Sequence, residues 1–231
     1  MMTRRFTAAF YAALGIGAAL AGGKALLAQQ KDSLSFSHPT RISHPYLPLE
    51  SFQNDVFEGS EGGKMLRVVS KRAATTKTFL IRGKKVAPLI IAVREFEAGK
   101  LKEATRDYFA QDDSGTVYYL GEEVDNYRDN KIIGHGGAWE YGKGKASLGV
   151  FLPAHPKIGD KYQPENVPGL TTENDEVVST SETVTTPSGK YTNCIKVKES
   201  LSDGTTEYKV YAKGVGMVVD DTLRLVTQKR K

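Results

Sequence analysis

The chain has 231 residues, of which 32 are Lys or Arg, 27 are Asp or Glu and one is Cys. Residues 1–28 hold three basic residues and no acidic one, so the rest of the chain carries 29 basic against 27 acidic residues. Nucleic-acid-binding domains concentrate basic charge on one face, and these charges are interleaved, so the composition excludes a nucleic-acid partner. The lone Cys194 excludes an intramolecular disulfide and a cysteine-based metal site.

The N-terminal segment, residues 1–28, predicts a secretory signal peptide. Arg4 and Arg5 precede an apolar run over 6–20, and the small Ala28 suits cleavage. An uncleaved membrane anchor is the alternative, although the run is shorter than the roughly 20 apolar residues of a spanning helix. We expect an exported protein, periplasmic or extracellular, with no membrane span after cleavage.

Residues 29–44 are polar, contain two His-Pro pairs and show no periodic apolar face, which predicts a flexible lead-in. Beyond it, short alternating runs separated by glycine-bearing turns recur about every 8–12 residues, which predicts an all-β, antiparallel architecture. The predicted strands include 52–58, 65–71, 76–81, 86–96, 101–111, 158–162, 176–186, 191–200, 206–213 and 217–227.

The clearest strand pattern lies in residues 106–139. Aromatic and β-branched residues alternate along two runs on either side of a turn at 112–115, and a second turn at 129–131 leads into a third run. The Asp and Ser side chains of the first turn can bond their own backbone, so the turn explains Asp112 and Asp113 without a calcium ion. This segment predicts a three-stranded meander.

The chain divides into two similar halves, 45–142 and 143–231, which we expect to form one compact unit. The strand at 90–95 corresponds to 194–199, and the run that contains Phe109 corresponds to the run that contains Tyr211. This correspondence predicts strongly curved sheets or a sandwich built from two duplicated meanders. Chance similarity between β meanders is the alternative.

Sequence motifs predict no catalytic residue, metal ion or cofactor. The four histidines are not spaced as a zinc site, and no nucleophile elbow, phosphate-binding glycine loop or dinucleotide fingerprint occurs. Cys194 lies in a strand-like run and is predicted to be a small buried apolar residue. An enzyme is therefore not the preferred interpretation.

Aromatic side chains are the remaining candidates for a binding surface. If they share one face of a curved sheet, they could bind a lipidic or small apolar ligand, and a packed core is the alternative interpretation. A secreted hydrolase that uses carboxylates of 122–129 near Trp139 is a second hypothesis, and an interaction module with an exposed edge strand is a third. The predicted ligand-binding residues are Phe109, Tyr119, Tyr127, Trp139 and Tyr141.

Motifs along most of the chain carry a resemblance to a family. They include Pro45-Tyr46-Leu47-Pro48-Leu49, Tyr108-Phe109-Ala110-Gln111-Asp112, Gly137-Ala138-Trp139-Glu140 and Tyr211-Ala212 with Gly214-Val215-Gly216. The chain resembles an uncharacterised family of exported bacterial all-β proteins. That resemblance implies a strongly curved antiparallel sheet, similar to half-barrel envelope lipoprotein carriers, and it supplies no catalytic residue. The chain departs from the pattern at Glu50-Ser51-Phe52 and at His155.

Overall fold

The computed structural model describes residues 34–75 and 77–231, and the predicted signal segment lies outside them. The described residues form strands and no helix, which confirms the all-β prediction. The strands are β1 (Phe52–Glu61), β2 (Lys64–Ala73), β3 (Phe79–Ile81), β4 (Lys84–Val86), β5 (Leu89–Glu97), β6 (Lys100–Gln111), β7 (Val117–Arg128), β8 (Lys131–Gly134), β9 (Trp139–Glu140), β10 (Gly149–Leu152), β11 (Lys161–Tyr162), β12 (Asn166–Val167), β13 (Thr171–Thr186), β14 (Gly189–Leu201), β15 (Thr206–Ala212), β16 (Gly216–Asp220) and β17 (Leu223–Arg230).

Fifteen strands form one antiparallel sheet, and β3 pairs with β4 in a second, small sheet. The order across the large sheet is β10-β7-β6-β5-β2-β1-β17-β16-β15-β14-β13-β11. Strands β8 and β9 also pair with β7, and β12 pairs with β13. Pairing of β1 with β17 joins the two halves of the chain, and each half consists of neighbouring antiparallel strands.

Main-chain hydrogen bonds connect the two ends of this strand order. The Val150 N–H donates to Gln163 O at 2.9 Å, and the Ser147 N–H donates to Asn166 O at 3.0 Å. Gly149 permits this approach, since a Cβ there would overlap the carbonyl oxygen of Pro164. The segment after β11 therefore bridges β10 and β13. The predicted strong curvature stays a prediction.

Alternation along the strands separates two apolar clusters. On β6 and β7, Phe109 and Tyr119 belong to a large cluster that draws on both halves, whereas Tyr108 and Tyr118 belong to a smaller one. The β3–β4 hairpin contributes Phe79 to the smaller cluster, and the Phe79 and Tyr108 rings lie 5.5 Å apart. The hairpin therefore covers the outer face of β5–β7, and the large cluster is the inner core.

The meander of residues 106–139 is confirmed, with β6 paired to β7 and β7 paired to β8. Two other predicted strands were wrong. The run 86–96 is divided because Pro88 offers no N–H to a ladder, so β4 ends at Val86 and β5 begins at Leu89. The run 217–227 folds into β16 and β17 around a turn in which Asp221 has a φ of 48°.

Residues 34–44 differ from the flexible lead-in that their polarity predicts. The N–H and hydroxyl groups of Ser37 both donate to the Asp113 carboxylate, and the Gln111 N–H donates to Pro39 O at 3.0 Å. Ile42 is fully buried. The segment is therefore attached through backbone and turn contacts, which hydrophobic periodicity does not report.

Candidate functional site

A cavity of about 140 Å³ lies in the inner core. Its volume is close to that of an engineered apolar cavity that admits benzene, about 150 Å³. Both halves of the chain contribute to its walls. The apolar residues around it are Leu47, Leu49, Phe52, Phe57, Val68, Ile91, Val93, Phe109, Tyr119, Phe151, Val215, Met217 and Leu223.

Three aromatic rings form one wall of the cavity. Phe109 and Tyr119 are directly opposite each other on β6 and β7, and their rings stack with centroids 5.0 Å apart. Phe151 on β10 meets the Phe109 ring edge-on at 5.0 Å and the Tyr119 ring at 5.9 Å. This arrangement leaves an aromatic surface facing the cavity.

The five aromatic residues predicted to bind ligand are not on one face. Phe109 and Tyr119 line the cavity, and Trp139 packs behind Tyr119 with centroids 5.3 Å apart. Tyr141 packs against the smaller, outer cluster. Tyr127 is half-buried near the far end of β7. Sequence reasoning did not include Phe151, because its strand is only four residues long.

Charged side chains also line the cavity. Asp107 on β6 precedes Phe109 by two residues and therefore faces the same side of the strand. Glu173 on β13 and Lys209 on β15 face it from the second half. The charged lining residues are Asp55, Asp107, Glu165, Glu173, Lys209, Asp220 and Arg230. The cavity thus combines an aromatic wall with ionisable groups.

Burial perturbs the protonation of these carboxyl groups. It raises the pKa of Asp107 and of Glu165 to about 7, although both accept hydrogen bonds that favour the charged form. Thr105 Oγ1 donates to Asp107 at 2.6 Å, and Thr171 Oγ1 donates to Glu165 at 3.0 Å. Burial likewise raises the pKa of Glu173 well above its usual value. Neighbouring carboxylates add to the rise.

Lys209 is the cation at the centre of the second half. Its side chain is 12 % exposed, and its ammonium group forms an ion pair with Glu199. Burial alone lowers the pKa of Lys209, but the charges of Glu199, Glu173 and Asp220 outweigh it, and the pKa lies well above its usual value. Lys209 therefore stays charged and partly neutralises the surrounding acids.

Three buried carboxylates beside Lys209 have the spacing of a metal site. Ligand oxygens of Glu173, Asp175 and Glu199 all lie within 4.8 Å of one another. Hard divalent cations accept such ligands. The Lys209 ammonium already pairs with Glu199, so a metal ion would have to compete with it.

Arg230 and Asp55 are half-buried residues of the cavity lining. Arg230 Nη1 donates to Pro48 O at 2.8 Å and to Ser51 Oγ at 3.0 Å. Burial raises the pKa of Asp55 to about 6, and the Arg230 charge opposes this. Met217, which also lines the cavity, is half-buried.

Two polar atoms on the cavity lining lack hydrogen-bond partners among residues 34–75 and 77–231. They are the Tyr119 hydroxyl and Asp55 Oδ1. Tyr119 is 3 % exposed, so water outside the protein does not satisfy its hydroxyl. Buried hydroxyl groups are normally hydrogen-bonded, and each exception calls for an explanation.

Comparison with known protein families, curated proteins and solved structures finds no match to this chain. The resemblance to an exported bacterial family therefore stays a prediction. Within the part of the chain that the structure describes, there is no helix of the length and apolarity needed to cross a membrane.

Proposed function

We propose that the chain is a non-enzymatic binding protein that holds a small apolar ligand in the inner cavity. The observation that carries this proposal is the cavity of about 140 Å³ beside the stacked rings of Phe109 and Tyr119. Protein interiors are close-packed and rarely leave voids larger than a water molecule. A space of this size is therefore unusual in a core of well-packed strands.

An apolar molecule bound in the cavity would contact its walls and stabilise the folded state. At about 24 cal/mol per Å³ of apolar cavity, filling about 140 Å³ corresponds to about 3 kcal/mol in the free energy of unfolding.

The proposal extends to location. Residues 1–28 combine a basic start with an apolar run, the pattern of a secretory signal. We therefore place the ligand-binding protein in the bacterial envelope or outside the cell. Detection of the mature protein in a periplasmic or culture fraction, and not in the cytosol, tests this part separately.

Benzene and toluene are direct probes of the cavity. We expect them to raise the melting temperature of the purified protein in sealed cells, as binding to the folded state requires. Substitution of Val93→Phe should fill part of the cavity and abolish this rise, whereas Val226→Phe, which lies outside the lining, should preserve it. An unchanged melting temperature of the wild-type protein would refute the proposal. If the melting temperature rises, mass spectrometry of the lipid-extract components that co-purify with the protein would identify its natural ligands.

A hydrolase is the second candidate, and one observation favours it. Asp107 and Glu165 line the same cavity, and burial raises the pKa of each to about 7. A carboxyl group with such a pKa can act as a general acid near neutral pH. Turnover of chromogenic glycosides or esters, lost in both Asp107→Asn and Glu165→Gln, would establish this activity; no turnover by the wild-type protein would eliminate it. The interaction module stays a prediction.

A further inference from the structure

The acidic and basic groups that line the cavity are unequal in number. Five carboxyl groups line it, from Asp55, Asp107, Glu165, Glu173 and Asp220, against the two cations Lys209 and Arg230. A ligand that fills the cavity must share its interior with these groups. Buried charges are stabilised when an opposite charge and hydrogen bonds accompany them.

Both cations are committed to protein partners. Lys209 pairs with Glu199, which does not line the cavity. Arg230 donates to Pro48 O and Ser51 Oγ, and its Nε donates to Gln228 Oε1 at 2.9 Å. The five acidic groups therefore lack a matching number of cations within the lining.

Tyr119 provides an independent indication of a polar ligand group. Its hydroxyl is buried and has no hydrogen-bond partner among the residues the structure describes, and Tyr119 lines the cavity. Burial and the charges of Asp107, Glu122, Glu165 and Glu173 raise the pKa of that hydroxyl; three of these residues, Asp107, Glu165 and Glu173, also line the cavity. A phenol oxygen can accept a hydrogen bond from a donor group of a ligand bound beside these carboxyl groups.

We propose that the cavity selects a small apolar amine, whose ammonium group lies among Asp107, Glu165 and Glu173 beside the Tyr119 hydroxyl. The apolar body of the ligand then packs against Phe109 and Phe151. This inference rests on the proposed binding function and names its ligand class. Charge-assisted hydrogen bonds from an ammonium to carboxylates are stronger than those between neutral groups. The same site disfavours carboxylate ligands by repulsion.

Three monosubstituted benzenes of nearly equal size test this selectivity. Calorimetry with the full mature chain at pH 7.5 compares benzylamine, benzyl alcohol and benzoate. We expect benzylamine to bind at least about tenfold more tightly than benzyl alcohol, because only the amine pairs with the carboxylates. Benzoate should bind more weakly than either.

Substitutions locate the ammonium site. Asp107→Asn and Glu173→Gln keep the side-chain shape and remove a negative charge, so each should reduce the preference for benzylamine to within about threefold while benzyl alcohol binds as before. Glu176→Gln is the matched control, since Glu176 lies on the same strand as Glu173, pairs with Lys161 and has a side chain 38 % exposed. It should leave the preference unchanged.

Each outcome decides between the two proposals. Equal or tighter binding of benzyl alcohol or benzoate by the wild-type protein overturns the amine inference and leaves the apolar cavity function standing. Absence of binding by all three compounds overturns the amine inference, and the measurement with benzene and toluene then decides separately whether the cavity binds apolar ligands. If one acidic variant does not fold, the other variant and the wild-type comparison still decide the result. If both Asp107→Asn and Glu173→Gln fold and still prefer benzylamine to benzyl alcohol, the ammonium group lies elsewhere, and this result also overturns the inference.

Discussion

Trp139 donates its indole N–H to Glu165 Oε1 at 3.2 Å inside the sheet. This hydrogen bond joins β9, at the end of the first half, to the segment that bridges β10 and β13. Trp139 also packs on Tyr119, which lines the cavity. The residue therefore supports the cavity wall and stabilises a buried carboxylate at the same time.

Substitution of Trp139→Phe removes this donor and keeps an aromatic ring. Glu165 then retains Thr171 as a donor, and the free energy of unfolding should fall by about 1–3 kcal/mol because a buried carboxyl group loses a partner. The pKa of Glu165, which burial raises, should rise further, since the indole bond favours the charged form. Urea denaturation measures the stability. Tyr208→Phe, on a side chain 39 % exposed, is the control and should cause little change.

Substitution of Lys209→Met should have a larger effect. It leaves Glu199, Glu173 and Asp220 without the cation between them. Removal of one partner of a buried ion pair lowers the free energy of unfolding by about 3–5 kcal/mol. The loss measured by urea denaturation at pH 8 should shrink at pH 5, where Asp220 and Glu173, whose pKa values burial raises, are protonated. Lys161→Met removes a lysine that is 73 % exposed and should change stability by less than about 1 kcal/mol. A loss of equal size in the two variants would contradict this role.

The buried acids also predict an unusual dependence of stability on pH. Asp107 and Asp220 have ordinary pKa values of 3.8, and burial raises them to about 7. The folded state therefore binds more protons than the unfolded state between about pH 4 and pH 7, so stability falls as pH rises through this window. His44 opposes the trend, because burial lowers its pKa and its contribution is lost as pH falls.

The acids whose pKa values burial raises outnumber His44, so the free energy of unfolding should fall overall as pH rises. We expect the free energy of unfolding to be higher at pH 5 than at pH 8 by on the order of 2–4 kcal/mol, given about 1.4 kcal/mol per pKa unit. Below about pH 4 the slope should reverse. Glu123 contributes to this reversal. Burial alone would raise its pKa, but hydrogen bonds from Lys77 and Arg106 outweigh burial and hold the pKa at about 2, so its stabilising contribution is lost as pH falls. Urea titrations at several pH values measure the curve, and stability that rises from pH 5 to pH 8 would contradict the assignment.

Strand patterning predicted the fold well where local alternation decides it. Phe109 and Tyr119 stand on neighbouring strands on either side of a glycine turn, and the structure pairs them directly. The division at Pro88 was missed because apolar residues continue on both sides of it. The turn at Asp221 was missed because only three polar residues, Asp220, Asp221 and Thr222, separate the two apolar runs. Contacts between distant segments, such as Val150 with Gln163, leave no periodic signal at all.

The acidic half of the candidate site could not be identified from the sequence. A carboxylate at every second strand position normally indicates a solvent-exposed face, and Glu173 and Asp175 follow that pattern while facing inward. Glu122, one of the carboxylates that the hydrolase hypothesis draws from residues 122–129, is 1 % exposed. Inward-facing acids became recognisable only when both halves placed them around one cavity.

Gly149 should be intolerant of substitution. Gly149→Ala would bring a Cβ into overlap with Pro164 O, a backbone atom, so the bridge between β10 and β13 must shift. We expect the free energy of unfolding to fall by about 2–3 kcal/mol, as for other overpacked sites. Gly134→Ala is the control, because a Cβ at that position would meet no atom within 4 Å and its φ is not positive. Equal stability of the two variants in urea would show that the bridge is unimportant.

His44 should be a neutral, buried imidazole that fastens the segment leading into β1. The Tyr46 N–H donates to His44 Nδ1 at 3.2 Å, so Nε2 carries the proton and donates to Pro153 O at 2.9 Å. Protonation of Nδ1 would oppose the Tyr46 N–H, and burial already lowers the pKa of His44 below its ordinary value of 6.5. Proton NMR should therefore show His44 titrating below pH 6.5.

Substitution of His44→Ala tests the same contacts through stability. It leaves the Tyr46 N–H and Pro153 O without this partner, so the free energy of unfolding at pH 7.5 should fall by about 1–3 kcal/mol. The difference from the wild-type protein should narrow as pH falls through the pKa of the folded-state imidazole, because protonation then costs the wild-type protein its advantage. His135→Ala, on a side chain 67 % exposed, should change stability by less than about 0.5 kcal/mol. A His44→Ala loss that stays constant from pH 7.5 to pH 5 would show that packing, and not the neutral imidazole, holds this segment.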